Sequence, residues 1–164
     1  LAIGTAQLFG YRVPENFKRP YLQPSPTLFW RSWNITFSLW LRDYLYIPLG
    51  GNRKHVYVNT MLTMVACGLW HQLTLNSLIW GAWHGVGLCA ARAKRGLLAR
   101  RAPSAIRQPH PTGLLTLTFK AAGVFATFHF VTVGWIFLAN AFAGASLWAS
   151  LETLSRMLGL PWLF

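Results

Sequence analysis

The chain has 164 residues, of which 54% are hydrophobic and 11% charged, with 15 Lys or Arg against 3 Asp or Glu and a formal net charge of +12. Soluble domains carry about 25% charged residues, so this supply is too sparse to cover a water-facing surface and points to an integral membrane chain. A basic excess on so apolar a chain argues against a nucleic-acid binder, and the nine Trp fit the aromatic belts of a bilayer interface.

Residues 1–10 are apolar and read as the end of a membrane helix stopping near Gly10; with no charged leader before them, the chain reads as an internal or C-terminal fragment. Pro14, Pro20, Pro24 and Pro26 then rule out a continuous helix over 11–27, which should lie at a membrane surface. Residues 29–46 have a helical period. Trp30, Trp33, Phe37, Trp40, Leu41 and Tyr44 share one side, and Arg31, Asn34, Ser38 and Arg42 an adjoining one, which predicts an interfacial or cavity-lining helix. Pro48, Gly50 and Gly51 end it in a tight turn.

Two apolar runs follow, 56–70 and 73–91, separated by His71 and Gln72. The first is shorter than the roughly 20 residues that cross a bilayer, which places His71 at membrane depth. Arg92, Lys94, Arg95, Arg100, Arg101 and Arg107, with no acid among them, predict a cytoplasmic loop over 92–111, with Arg53 and Lys54 on the same side. That loop also suits anionic lipid. Residues 114–142 form a third long apolar run, a span with tilt or a bend, from which Lys120 can snorkel toward the basic side. Residues 147–164 begin amphipathic, with Glu152 and Arg156 four apart, and Pro161 and Trp162 suggest an interfacial end.

Histidines within apolar runs carry the chemical signal, because an ionisable group in hydrocarbon usually faces a cavity, a partner or a pathway. A neutral imidazole can take a proton from a hydroxyl, the task of a general base. His71 and His84 are the candidates, with His129 behind them; His55 and His110 read as loop residues. On one continuous helix His71 and His84 would stand about 140° apart, so they share a face only if the helix breaks between them. Otherwise one of them is structural. Cys67 and His71 could meet on a helical face, but two ligands without a third predict no metal site. Nucleophile-elbow, zinc-protease and phosphate-loop motifs are missing, and the three acids lie in separate segments, which leaves a His-centred reaction.

Several ordered motifs resemble one family. Phe9-Gly10-Tyr11, Pro14-Glu15-Asn16-Phe17, Phe29-Trp30-Arg31, Leu39-Trp40-Leu41-Arg42-Asp43-Tyr44, Ile47-Pro48-Leu49-Gly50-Gly51-Asn52-Arg53, Gly68-Leu69-Trp70-His71, Trp80-Gly81 with His84-Gly85, and Gly134-Trp135 are similar to the membrane-bound O-acyltransferases, within them the bacterial branch that O-acetylates alginate. The resemblance is strong over 9–91 and weaker to about 142. It implies an all-α fold, a polytopic transmembrane helical bundle with interfacial and short membrane helices. Residues 1–164 would form part of that domain, with the motif core at 9–91, the basic loop at 92–111 and later membrane helices at 112–164.

The resemblance also implies an enzyme of the bacterial inner membrane, multi-pass, that moves a short acyl group, most plausibly acetyl, onto hydroxyls of an exported polysaccharide. His71 would be the base, Asn34 an assisting or channel-lining residue, and Arg42, Asp43, Trp70 and His84 channel or supporting residues. An acyl thioester such as acetyl-CoA would be the co-substrate, with no bound cofactor. Partners would be membrane lipid, the polysaccharide and periplasmic or membrane acyltransferase proteins, with no nucleic acid. The branch has His where Asn34 stands, Gly where Gln72 stands and Arg where Ala139 stands. These departures leave open an altered acyl or acceptor preference and a loss of activity. The alternatives are transfer of D-alanine or another acyl group to a cell-envelope polymer, and a non-catalytic membrane subunit of an export complex.

Overall fold

A computed structural model describes residues 2–101 and 113–160. Among them every regular element is helical: α1 (Ala2–Leu8), a 3-10 turn (Pro20–Leu22), α2 (Pro26–Trp30), α3 (Ile35–Leu41) continued by a π turn (Arg42–Tyr46), α4 (Val56–His71), α5 (Leu75–Arg101), α6 (Leu114–Phe142) and α7 (Leu147–Met157). One of these helices, over Thr116–Phe142, is long and apolar enough to cross a membrane by length and composition. Arg107, His110, Pro161 and Trp162 lie outside the described residues.

The single helix expected over 29–46 is broken. Asn34 takes a left-handed conformation (φ 43°) between α2 and α3, which Asn tolerates better than most residues. The Asn16 carboxamide fixes the restart of the helix, its Oδ1 accepting from the Thr36 backbone N–H at 2.9 Å and from Thr36 Oγ1 at 2.7 Å. The expected turn is present at Gly50 (φ 109°) and Gly51 (φ 53°).

The basic segment is not a loop from residue 92 onward. α5 continues to Arg101 and carries Arg92, Lys94, Arg95, Arg100 and Arg101. Ala, Lys, Arg and Leu after Ala91 are strong helix formers, so the helix runs on after the apolar stretch ends.

α4 and α5 form the centre of the fold, joined by Gln72–Thr74 and running antiparallel. Gly68 faces Ser77 and Gly81, Gly81 faces Met64, and Gly85 faces Met61. α6 lies antiparallel on the other side of α5: Trp83 Nε1 donates to the Phe130 carbonyl at 2.8 Å, and Gly134 faces His84. Phe29, Trp30, Met64, Cys67, Trp80, Val131 and Leu138 fill the core between them. Helices that meet in an apolar surrounding gain chiefly from close packing, which small residues allow. A Cβ at Gly68 would overlap the Ser77 carbonyl oxygen, a backbone atom that cannot swing away. Gly68→Ala is therefore expected to destabilise the α4–α5 pair by about 1–3 kcal/mol, read as a lowered thermal midpoint of the full-length protein in detergent.

Candidate functional site: an imidazole held in an aromatic box

His71 is the last residue of α4, and Gln72 leaves the helix in an extended conformation (φ −161°, ψ 147°). Thr74 starts the next helix, its Oγ1 accepting from the Ser77 backbone N–H at 3.2 Å, which satisfies one of the donors a helix start leaves open. The local sequence thus ends one helix and caps the next within three residues. His71 sits at the seam.

Three rings from three helices surround the half-buried His71 imidazole edge-on: Trp70 at 5.0 Å between centroids, Trp80 at 5.3 Å and Phe142 at 5.8 Å. Among the described residues no protein group hydrogen-bonds either of its ring nitrogens. The packing holds the ring and leaves its nitrogens without a protein partner among the described residues. Trp70 is itself mostly exposed and packs on Phe37 of α3 at 4.5 Å.

His84 is fully enclosed, 1% exposed, against the same Trp80 at 4.8 Å. The break between α4 and α5 thus brings both histidines to one indole. Trp30 Nε1 donates to His84 Nδ1 at 3.3 Å. An indole nitrogen is a donor only, so Nδ1 is the acceptor and a neutral ring carries its proton on Nε2. Nε2 faces Gly134, where a Cβ would sit 2.8 Å away. The site's far wall is tied by Asn76, whose Nδ2 donates to the Ala145 carbonyl at 2.9 Å and whose Oδ1 accepts from Ser150 Oγ at 2.9 Å. These two bonds join the start of α5 to the α6–α7 turn just beyond Phe142 and to α7 itself.

The remaining expected site residues lie elsewhere. Asn34 occupies the α2–α3 bend, about one turn before Phe37, and no hydrogen bond links it to His71. Arg42 and Asp43 pair with each other, Nε to Oδ1 at 2.7 Å, on the π turn. Arg42 there also borders a separate cavity between α2, α3, α4 and α5. The roles of Trp80, Phe142 and Asn76 were not apparent from the sequence. Trp80 stood in a motif, and Asn76 stood out only as a polar residue in an apolar run.

The described residues thus combine a membrane-length apolar helix with a close-packed hairpin that bears an imidazole at its bend. The chain belongs to the membrane-bound O-acyltransferase family, whose family model matches residues 1–113. It is 54% identical over 96 residues to the probable alginate O-acetylase AlgI of Pseudomonas putida, covering 57% of this chain and 20% of that protein. It is 35% identical over 164 residues to a peptidoglycan O-acetyltransferase of Helicobacter pylori, covering 98% of this chain and 28% of the relative. With a teichoic acid D-alanyltransferase of Streptococcus thermophilus it shares 28% identity over 152 residues, 85% of this chain and 36% of that one. The chain spans about a fifth to a third of the length of these relatives.

Proposed function

We propose that this chain carries the base of an O-acyltransferase that moves an acetyl group onto a hydroxyl of an exported polysaccharide. The observation that carries the reading is the His71 imidazole, clamped by rings from α4, α5 and α6 with its nitrogens free of protein partners among the described residues. In the reaction the acceptor hydroxyl gives its proton to His71 as its oxygen attacks the thioester carbonyl. The tetrahedral intermediate then collapses, the C–S bond breaks, and the departing thiolate takes the proton back from His71. Acyl group and proton both balance without a further reactant. His84 and Trp80 would hold the base in place, and Trp70 would border the acceptor's approach. Asn34 would line the channel.

In this reading α6 and the α4–α5 hairpin lie within a multi-pass bundle in the bacterial inner membrane, and further acyltransferase proteins act on the far side. Arg92 Nη2 donates to Asn52 Oδ1, which puts the basic end of α5 beside the turn that bears Arg53 and Lys54. The charge rule assigns that end to the cytoplasm. Alkaline phosphatase fused after residue 105 should be inactive and a fluorescent protein fused there bright; the opposite pattern would overturn this orientation.

The similarity to a teichoic acid D-alanyltransferase favours a second reading, in which the acyl group is D-alanine. Cells expressing the full-length parent, fed labelled acetate or labelled D-alanine, separate the two. Label from acetate in the exported polymer supports acetyl transfer, and label from D-alanine alone supports the second reading. Label from neither, above cells lacking the protein, would favour a non-catalytic subunit of an export complex.

A further inference from the structure

Three carboxamides lie between Val56 and Ala91, those of Asn59, Gln72 and Asn76. Two of them are tied into the fold. Asn59 Nδ2 donates to the carbonyls of Gly51 at 3.1 Å and Lys54 at 2.7 Å, and Asn76 both donates to the Ala145 carbonyl and accepts from Ser150. Gln72 differs: among the described residues no hydrogen bond reaches either end of its carboxamide. It is half-buried at the bend between α4 and α5, with extended backbone. Trp70 before it and Leu73 after it are open, at 62% and 88% exposure.

A polar group without a partner costs free energy wherever water is scarce, so a free carboxamide on an apolar hairpin calls for one. Its neighbour in the chain is the equally free His71. Consecutive Cα atoms stand about 3.8 Å apart, less than the length of a Gln side chain, so a molecule bound to the imidazole lies within reach of the Gln72 carboxamide.

The helices around His71 also indicate the charge of that molecule. α3 and α4 carry no Lys, Arg, Asp or Glu, nor does α5 as far as Ala91 or α6 from Ala121 to Phe142. The cations of the hairpin gather at its other end, at Arg53, Lys54 and from Arg92 onward. A carboxylate brought to His71 would meet no cation on these helices, and an unpaired charge in an apolar surrounding is strongly unfavourable. A carboxamide has an NH2 donor and a carbonyl acceptor. It can pair with an amide or a hydroxyl at both ends, whereas a carboxylate would set a second acceptor against its carbonyl oxygen.

We propose that Gln72 is a specificity-determining residue, its carboxamide hydrogen-bonding an uncharged acetamido group on the sugar that presents a hydroxyl to His71. The acceptor is then of the N-acetylhexosamine class and not a uronic acid. The proposal rests on the reading of His71 as the place of acyl transfer.

The test uses the full-length parent in detergent, with pentamers of N-acetylglucosamine and of mannuronic acid as probes and binding read by calorimetry. The N-acetylglucosamine pentamer should bind at least tenfold tighter. Gln72→Ala and Gln72→Met, the second of which keeps the bulk, should each weaken that binding about tenfold, the worth of one or two hydrogen bonds. Binding of the mannuronate pentamer should change less than twofold. In transfer from labelled acetyl-CoA both variants should raise the acceptor KM by the same factor and hold kcat within twofold, the mark of a contact made equally in ground and transition states. His71→Ala should keep the binding preference and lose kcat. Binding of neither pentamer, equal or tighter binding of mannuronate, or wild-type affinity in Gln72→Met would overturn the proposal. A Gln72-dependent preference for the acetamido sugar without acetyl transfer to either pentamer would leave the contact standing and overturn instead the reading of His71 as the base.

Discussion

Trp80→Ala should lower the stability of the full-length protein by about 3–5 kcal/mol, the range for emptying a large buried aromatic site. Trp80 is 1% exposed and meets rings from both sides, His71 at 5.3 Å and His84 at 4.8 Å, with Trp30 at 5.9 Å and Trp135 at 6.0 Å. Its loss removes the surface on which both imidazoles rest, so transfer activity should fall more than folded protein does. Trp80→Phe keeps a ring in the box and should recover much of the stability. Thermal midpoints in detergent, read beside activity per folded molecule, check both effects.

His71→Ala should cost about 100- to 10,000-fold in transfer rate, the span of a well-placed general base, with little loss of folded protein. The low structural cost follows from its position. His71 ends α4, is half-buried, and makes no hydrogen bond through its ring among the described residues, so its removal opens a gap at a helix end. His84→Ala should behave in the opposite sense. It would leave the Trp30 indole N–H without its acceptor in an enclosed core, and an orphaned buried donor costs about 1–3 kcal/mol. Comparing the two variants by folded yield and by rate per folded molecule separates a base from a core residue.

The hairpin was legible in the sequence because His71 and Gln72 interrupt two apolar runs, and helix pairs end where polarity and capping residues meet. The Glu152 and Arg156 pairing was legible for the same local reason, a spacing of four on one helix, and it forms at 2.6 Å. The Asn34 break was not. No Pro or Gly marks residues 31–34, and what fixes the bend is the Asn16 carboxamide, 20 residues away on the Thr36 side chain. The helical course of the basic segment was hidden because Arg and Lys serve an exposed helix as readily as a loop.

At the site, His71 stood out as an imidazole in an apolar run, whereas its box did not. The box depends on how α5 is rotated against α4, which Gly68 and Gly81 set by backbone approach, and on the Asn76 to Ser150 bridge across 74 residues. The cavity lined by Arg31, Arg42, Arg92 and Arg95 was equally out of reach. Arg31 and Arg42 belong to one segment and Arg92 and Arg95 to another, and only the packing of α2 and the π turn beside α4 and α5 brings them to one cavity.

Proton transfer from the acceptor hydroxyl to His71 is the step on which the proposed function stands. Its most direct test is labelled acetyl incorporation into exported polysaccharide by the full-length parent, wild type against His71→Ala, at matched levels of folded membrane protein. Incorporation is expected to be at least 100-fold lower in the variant. Equal incorporation would contradict it, and would leave the imidazole at the bend of the hairpin as a packing residue.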